Sequence, residues 1–484
     1  MAVCFAGDLG NDRDVSEERP TYQELVEQNA ALQVMVGVLR AEVAELRARL
    51  GANSKNSSRP PSSDGLGKPA PVSLRRASGR RPGGQPGHRG ATLMQVADPD
   101  EVIVHAPGVC AGCGAELGVG DVEGIERRQV FDLPEITLRV VEHQIATCRC
   151  HGCGARTPGE APAGVNAPAG YGPRIKAVMV YLYSGQFLSK DRTAIALAEL
   201  FDTPVSSATV ASAAQNAAED LSRFTTAVAE QIAASPVVNF DETGLRTAGK
   251  LAWVHSASTP DFSLLTCDRK RGRTGMDAAG VLPAFTGIAV HDAWAPYDTY
   301  EKIGAHQLCG AHVLRELQGV QDASPPGTWC WAQQAADALV AIKALVDVTT
   351  SVDGTLAHLD TTALSTQRNL LICAATIGAQ TTAARTDKLM AKHHALATRI
   401  ITRIDDYLRF TTDPDVPFDN NAAEREVRMI KLRQKVSGCL RTLSGAQQFC
   451  AIRTYIATTH KHHIPLLHAL TQLTNRTPWQ PQTS

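Results

Sequence analysis

The chain has 484 residues, of which 43% are hydrophobic and 20% charged, and its formal net charge is −1. A typical domain has roughly 100–200 residues, so this length fits several domains. The near-neutral charge excludes a globally basic surface, and any contact with nucleic acid must come from local patches. Residues 1–20 are acidic and unlike a secretory signal. No apolar run approaches the ~18 residues of a membrane helix, so we expect a cytoplasmic protein with no membrane partner.

Residues 1–20 are expected to be disordered, and residues 21–50 are predicted to form a leucine-zipper coiled coil. Leucines recur one heptad apart at Leu25, Leu32, Leu39 and Leu46. The polar Asn29 lies among apolar residues at the other core position of the heptad, an arrangement that fixes the register of a parallel dimer. The pattern predicts a homodimer, and an amphipathic helix docked on another domain is the alternative.

Residues 51–100 are predicted to be a basic linker. From Gly51 to Gly90 the composition changes to Ser, Pro, Gly and Arg, and basic residues face the single acid Asp64. Such a segment cannot bury a core and is typical of a flexible tether. Its charge would add salt-sensitive contacts to phosphates.

Residues 101–165 contain two CxxC pairs with glycine after each second cysteine: Cys110 and Cys113, then Cys150 and Cys153. Four thiolates at this spacing predict one structural zinc ion, because glycine permits the tight turn that a tetrahedral thiolate site needs. Residues 126–145 are predicted to form strands that bring the two pairs together. Cys148 could replace Cys150, and His151 is a weaker substitute.

Residues 170–230 are predicted to be helical. A helix over 190–201, a break at 202–204, and a second helix capped near Ser206 or Ser207 resemble a helix-turn-helix. The second helix has no nearby Arg or Lys, so a plain helical connector is an equally supported interpretation.

Two short apolar strands are each predicted to end at an acid, Asp241 and Asp292. Strands are predicted between them over 251–256 and 262–267, followed by a helix over 274–282. Because open α/β sheets place their ligand sites at the carboxyl ends of strands, both acids are candidate site residues. A strand-terminal Asp that only forms a turn is the alternative.

A third acid, Glu424, opens a predicted helix. Steps of three or four residues place it on one face with the cations Arg428, Lys431 and Lys435. Val427 and Ile430 can turn inward beside this face, as can Met429, Leu432 and Val436. An N-cap at Asn421 with Glu424 at the third helical position would explain the acid without catalysis.

Three carboxylates from two strands and a later helix suit two-metal phosphoryl transfer. Carboxylates crowded together repel one another unless a cation neutralises them. Oxygen ligands of this kind favour Mg²⁺, with Mn²⁺ as a substitute, and two such ions would serve an in-line displacement.

Residues 306–316 carry His306, Cys309 and His312, which we expect on one helix lining the catalytic cleft. Steps of three spread these side chains around a helix, so a second metal site is not predicted. An Ala-rich helical insertion is predicted at about 320–405 within a core spanning 235–460. Residues 461–484 form a C-terminal element.

Several segments together resemble a DDE transposase of the insertion-sequence sixty-six family. They are DETG at 241–244, VHDAWAPY at 290–297, HQLCGAHVLRE at 306–316, the stretch from VPFDNN at 416–421 to QKVSGC at 434–439, and upstream residues 54–64 and 83–90. The resemblance spans nearly the whole chain and implies an α/β RNase H-like catalytic core. It also implies that Asp241, Asp292 and Glu424 are the catalytic triad, and it agrees with a zinc-binding module upstream.

The expected activity is cleavage at the ends of a mobile element and transfer of the freed strands to target DNA. The expected DNA contacts are Arg425, Arg428, Lys431, Lys435, His312 and Arg315. Glu242 and Glu426, which neighbour two of the triad acids, could be mistaken for catalytic residues. Accessory proteins encoded by the element are left open as further partners. The alternatives are a catalytically silent DNA-binding protein derived from a transposase, or a stand-alone RNase H-like nuclease.

Overall fold

The computed structural model of the chain describes residues 21–57, 93–134, 136–325 and 327–481. The predicted disordered N-terminus (1–20) and most of the predicted basic linker (51–100) lie outside these residues. The chain divides into a smaller compact unit, residues 69–171 and 190–211, and a larger one, residues 1–68, 172–189 and 212–484. No helix among the described residues is long and apolar enough to cross a membrane.

The helices are, in chain order, α1 (Tyr22–Gly51), α2 (Pro173–Val180), α3 (Lys190–Phe201), α4 (Ser207–Glu219), α5 (Ser222–Ala233), α6 (Arg273–Asp277), α7 (Gly310–Ala323), α8 (Trp331–Asp353), α9 (Thr361–Thr381), α10 (Lys388–Thr402), α11 (Ile404–Tyr407), α12 (Asn421–Ser437), α13 (Leu443–Lys461) and α14 (Leu466–Thr474). The strands are β1 (Thr147–Arg149), β2 (Arg156–Pro158), β3 (Val237–Thr247), β4 (Lys250–Ser258), β5 (Ser263–Asp268), β6 (Ile288–His291) and β7 (Ala305–Leu308).

The smaller unit holds both cysteine pairs. Strands β1 and β2 form an antiparallel hairpin around the second pair, and a single bridge between Val109 and Glu116 encloses the first. The strands predicted for residues 126–145 are wrong, because the described part of this segment forms no strand. Its β-branched residues have no partner strand and no buried face, and Val130 and Val140 are 92% and 88% exposed.

Helix α3 has the bounds that the sequence predicts, and a tight turn follows it. Asp202 adopts a left-handed conformation with φ of 45°. The Thr203 N–H donates to Leu197 O at 3.1 Å. Ser206 Oγ then accepts the Thr209 N–H at 3.1 Å, so the predicted cap of α4 is present.

Helix α1 is a single long helix with no buried residue. It begins with a capping box, in which Thr21 and Glu24 bond to each other's backbone N–H groups. The four heptad leucines are about half exposed, from 47% at Leu46 to 59% at Leu32. The helix expected for residues 21–50 is therefore present, and its apolar stripe is uncovered within the described part of the chain.

The larger unit is built on a five-stranded sheet in the order β5-β4-β3-β6-β7. The pairs β5/β4 and β4/β3 are antiparallel, whereas β3/β6 and β6/β7 are parallel. One core cluster joins helices α7 to α11 and includes Leu317, Trp331 and Ile400. A second lies between the sheet and helices α12 and α13, around Val254 and Phe449.

Strand β3 is longer than predicted. The expected strand end at Asp241 is wrong, because β3 pairs with β4 from Asn239 opposite Ser258 to Thr247 opposite Lys250. The hairpin turns through Ala248 and Gly249, whose φ values are 49° and 75°, as a primed two-residue turn requires. Asp241 consequently lies in mid-strand, whereas Asp292 directly follows the end of β6 as predicted.

The expectation that His306, Cys309 and His312 share one helix is also wrong. His306 lies on β7, and Cys309 is the N-cap of α7, which then carries His312. The register of β7 against β6 places His306 beside Ala289. Because β7 continues to Leu308 and α7 begins only at Gly310, His306 is not part of the helix.

Helix α13 covers the open edge of the sheet at β5. Thr454 Oγ1 accepts from Leu265 N at 2.9 Å and donates to Leu265 O at 3.3 Å. One helical turn later, Thr458 Oγ1 makes the same pair of contacts with Ser263, at 3.3 and 3.1 Å. These hydroxyls pair the backbone groups that an edge strand leaves exposed.

Candidate active site

The sheet brings Asp241 and Asp292 side by side. The parallel register of β3 and β6 ends with Asn239 opposite Val290. Asp241 and Asp292 each lie two residues beyond this last pair, so both are on the same face of the sheet. Asp241 Oδ1 accepts the Glu242 N–H at 2.9 Å, and Asp292 Oδ1 accepts the Trp294 N–H at 3.1 Å.

Glu424 is brought to the same place by the first turn of α12. The preceding residue Asn420 is fully buried. Its Nδ2 donates to Phe240 O at 2.6 Å, and its Oδ1 accepts from Asn239 Nδ2 at 2.9 Å. These bonds anchor the start of α12 on β3, next to Asp241.

The capping explanation of Glu424 does not describe this helix. α12 begins at Asn421, and the N-cap residue Asn420 makes no side-chain cap. The Asn421 amide instead donates to Asp419 Oδ2 at 2.6 Å. The Glu424 carboxylate faces α7, with Oε1 3.4 Å from Arg315 Nη2 and 3.6 Å from His312 Nδ1.

Burial raises the pKa of all three acids, and neighbouring carboxylates add to the shift at Asp241. The pKa of Asp241 is raised well above its usual range by burial, then by the charges of Glu242, Asp292 and Glu424. Burial also raises the pKa of Asp292, and that of Glu424 although Arg315 opposes it. Asp292 and Glu424 are thus near enough for their charges to act on Asp241, and partly buried carboxylates grouped in this way are suited to bind cations. All three offer oxygen ligands, which fits Mg²⁺ or Mn²⁺.

Glu242 neighbours these acids, but its carboxylate is held by other partners. It accepts two hydrogen bonds from Arg271, at 2.7 and 3.1 Å, and one from Tyr297 Oη at 3.0 Å. Burial raises the pKa of Glu242 to about 6. Arg271 lies over the rings of Trp253 and Trp294, at 4.8 and 4.0 Å. The sequence did not single out Arg271 or Tyr297, because nothing local links either residue to Glu242.

Glu426, the second acid that could be mistaken for a catalytic residue, contacts a different part of the fold from Glu424. Its Oε1 accepts from Ser263 Oγ on strand β5 at 3.1 Å. Two residues along a helix rotate a side chain by more than half a turn, so Glu424 and Glu426 project in different directions.

The predicted row of cations on α12 is divided in two. Arg425, Arg428 and Lys435 are exposed. Lys431 is half-buried and donates to Gly244 O on β3 at 2.6 Å, and burial lowers its pKa. His312 is not a cation near neutrality, since burial and then Arg315 and Arg399 lower its pKa to about 3.

Neighbours of Asp292 form a buried network that the sequence did not reveal. His291 Nε2 lies 2.9 Å from His306 Nδ1. The His291 ring stacks on Tyr297 with centroids 4.4 Å apart. Its Nδ1 accepts the N–H of Ala293, a residue with φ of 67°. The left-handed turn at Ala293 directs the chain away from β6 immediately after the catalytic candidate.

The two cysteine pairs form matching turns. In each, glycine N–H donates to the first cysteine's oxygen, Gly114 to Cys110 at 2.8 Å and Gly154 to Cys150 at 2.9 Å. Both glycines have φ of 74°, the conformation for which glycine is needed. Backbone N–H groups lower the pKa of Cys110 and of Cys150, which favours the thiolate form that binds zinc.

The structure does not gather the four thiols at ligand distances. Among the described residues, the groups of three potential ligands are His291 with Asp298 and His306, and Cys309 with His312 and Glu424. Each cysteine pair is therefore formed as half of a site. Four sulfur ligands in two tight turns are nevertheless the donor set of structural zinc.

Comparison with known protein families identifies the class of this chain. Residues 169–448, more than half of the chain, match the Transposase IS66 family, and residues 107–154 match the zinc-finger binding domain of transposase IS66. The chain is therefore a transposase, an enzyme that acts on DNA. It belongs to the IS66 family, and its zinc-finger domain indicates structural zinc.

The N-terminal part of the chain matches a further family. Residues 12–94 match a family of unknown function (DUF6444). No curated protein matches the chain. The matched range includes all of α1 and the residues that follow it.

Proposed function

We propose that this transposase cleaves DNA strands at the ends of its element and joins the freed 3′ hydroxyls to target DNA. The observation that carries the proposal is that Asp292, at the end of β6, and Glu424, on α12, lie near enough to Asp241 on β3 for their charges to act on it. The sheet supports an RNase H-like core, since three antiparallel strands are followed by two parallel ones, with one acid on β3 and one directly after the adjacent β6.

Asp241, Asp292 and Glu424 are the residues that would hold two divalent ions. When bound, such ions activate a hydroxyl and stabilise the leaving oxygen of a phosphodiester. Arg315 and His312 face the Glu424 carboxylate and orient it toward the two aspartates. Arg271 keeps Glu242 engaged, so that this neighbouring acid does not compete for the ions.

DNA contacts are assigned by exposure. Arg425, Arg428 and Lys435 face solvent from the helix that carries Glu424, and we propose that they bind phosphates of the element ends or of the target. Lys431 is a weaker candidate because it is bonded to Gly244. Arg315 and His312 would reach DNA only at the scissile phosphate itself. Phosphate contacts fix the register of DNA on the protein, and they weaken as salt rises.

The N-terminal modules serve assembly. We propose that α1 forms a parallel homodimer through Leu25, Leu32, Leu39, Leu46 and Asn29. The exposed apolar stripe of α1 supports this, because a solvent-exposed 30-residue helix is stabilised when its stripe is covered by a second copy. Zinc would bind through Cys110, Cys113, Cys150 and Cys153, once the two turns close on one ion.

A joining assay with Mg²⁺, labelled element ends and plasmid target tests the function. We expect strand-transfer products that require the divalent ion. Binding of ends without cleavage would support the silent DNA-binding alternative instead. Cleavage of unrelated nucleic acid without joining would support a stand-alone nuclease.

A further inference from the structure

Residues 53–57, which follow the C-cap residue of α1, form a compact turn against helix α7. The Asn53 N–H donates to Asn56 Oδ1 at 2.8 Å, and the Lys55 N–H donates to Asn53 Oδ1 at 2.8 Å. Ser57 Oγ closes the turn on Asn53 O at 2.6 Å. Ser54 at its centre is only 9% exposed. The segment is therefore locally ordered by its own side chains, unlike a plain tether.

One side-chain amide joins the two helices. Asn56 Nδ2 donates to Gly51 O, the last residue of α1, at 3.1 Å, and to Asp322 Oδ2 on α7 at 2.7 Å. Its Oδ1 accepts the Asn53 N–H inside the turn. Both donors and the acceptor of the amide are thus used. Aspartate would lose both donors and would set a carboxylate against Asp322.

A glycine on α7 makes room for this contact. A Cβ at Gly319 would lie 2.5 Å from the backbone oxygen of Asn56. Glycine in a helix interior is unfavourable relative to alanine, so its presence on α7 needs a reason such as this close approach. Residue 319 is therefore the point on α7 against which the turn packs.

Helix α7 also carries the contacts of the candidate active site. Arg315, one turn before Gly319, lies 3.4 Å from Glu424 Oε1. On the same helix, Glu316 forms an ion pair with Arg399. The turn at residues 53–57 therefore links α1, the proposed dimer helix, to α7, the helix that orients a proposed metal ligand.

We propose that residues 53–57 are a clamp that fixes the dimer helix on α7, so that assembly sets the position of two active sites for joining a pair of ends. This gives a role to the part of the chain that matches a family of unknown function. It rests on the proposed function for its consequence, whereas the clamp itself rests on the contacts of Asn56 and Gly319.

The test compares Gly319→Ala with Gly37→Ala in the full chain. Gly37 is also helical, and a Cβ there meets nothing within 4 Å. The gain in intrinsic helix propensity is therefore the same in both variants, and only Gly319→Ala meets the backbone of Asn56. If the clamp exists, Gly319→Ala speeds amide exchange of residues 53–57 on the order of tenfold, while Gly37→Ala leaves it unchanged. Both variants should sediment as the parent does. Equal exchange in the two variants overturns the clamp.

Activity is measured on the same proteins as the ratio of paired-end to single-end joining. We expect Gly319→Ala to lose paired-end products selectively, by about tenfold, because each active site is intact but no longer held in position. An unchanged ratio despite faster exchange overturns the role in assembly. If the parent joins no ends at all, the proposed function fails, and the exchange comparison still decides the clamp.

A charge exchange provides an independent check. Asn56→Asp should open the clamp by repulsion from Asp322, and adding Asp322→Asn should restore slow exchange in part by returning a donor to the pair. Equal exchange in the single and double variants would show that the two side chains do not form the contact.

Discussion

The side-chain amide of Asn420 donates to the backbone oxygen of Phe240 at 2.6 Å, which ties the helix of Glu424 to the strand of Asp241. Asn239 Nδ2 completes the link by donating to Asn420 Oδ1 at 2.9 Å. The contact is fully buried at Asn420. It is the joint that sets the separation of two proposed metal ligands.

Asn420→Ala should therefore lower both stability and activity. Loss of two buried hydrogen bonds is expected to cost about 1–3 kcal/mol of unfolding free energy. A shift of Glu424 by about 1 Å would slow strand joining on the order of 10²-fold. Denaturant unfolding and a joining assay measure the two effects. The exposed neighbour Asn421 gives the matched control, and equal losses in Asn421→Ala would refute the role of Asn420 as a joint.

Local patterns predicted much of this fold. The bounds of α3, the acid after β6 and the helix of Glu424 follow from strand and helix signals in short windows. The predicted β3 stops at Asp241, where the apolar run gives way to acids and Gly244, although pairing with β4 continues to Thr247. Leu432 and Val436 were expected inside, but are 41% and 39% exposed. Helical periodicity alone therefore placed these two side chains wrongly.

Long-range partners could not be predicted from such patterns. The contact of Arg271 with Glu242 joins residues 29 positions apart, and that of Asn420 with Phe240 joins residues 180 apart. Neither pair has a sequence spacing that implies contact. The pairing of strands decides them, and it depends on how the whole chain packs.

Glu242 should make stability fall as pH rises through weak acidity. Its folded pKa is raised from 4.5 to about 6, so the folded state binds a proton more tightly than the unfolded state. Its stabilising contribution is complete below pH 4.5 and is lost by about pH 6. The change amounts to about 2 kcal/mol. Unfolding free energy measured across this interval should fall less steeply in Glu242→Gln, and an unchanged slope would contradict the shifted pKa.

Zinc should bind at one ion per chain and stabilise the smaller unit. Cys110→Ser removes one of four thiolates, and we expect it to weaken zinc affinity by at least tenfold and to expose the unit to protease. Chelation should have the same effect on the parent. Metal analysis and limited proteolysis provide the measurements. Cys148→Ser is the matched control, and weaker zinc binding in that variant would place Cys148 among the ligands.

The proposed coiled coil should dissociate when its leucines are shortened. Leu32→Ala with Leu39→Ala removes two buried side chains from each helix of the dimer, at about 2–5 kcal/mol per site. Val34→Ala is the control, because residue 34 lies two positions after a core leucine, on the outer face of the heptad. Sedimentation at several concentrations should show monomers of the double variant only. A dimer that persists would mean that another surface holds the chains together.

The three acids give the sharpest prediction. Asp241→Asn, Asp292→Asn and Glu424→Gln should each fold and bind DNA, yet lose strand cleavage and joining on the order of 10⁴-fold, because an amide keeps the shape but not the anionic ligand. Each single loss should approach that of the triple variant, since the residues act as one cage.

Glu426→Gln is the matched control for Glu424→Gln, with the same chemical change one half-turn along α12. Glu426 accepts from Ser263 Oγ, and an amide oxygen can accept the same bond, so this variant should retain joining within about threefold of the parent. The metal-free form of Asp241→Asn should also be more stable than the parent, by about 0.5–2 kcal/mol, because the substitution removes a buried carboxylate that Glu242, Asp292 and Glu424 repel. Full activity of Glu424→Gln would defeat the triad, and a matching loss in Glu426→Gln would move the third ligand to that acid.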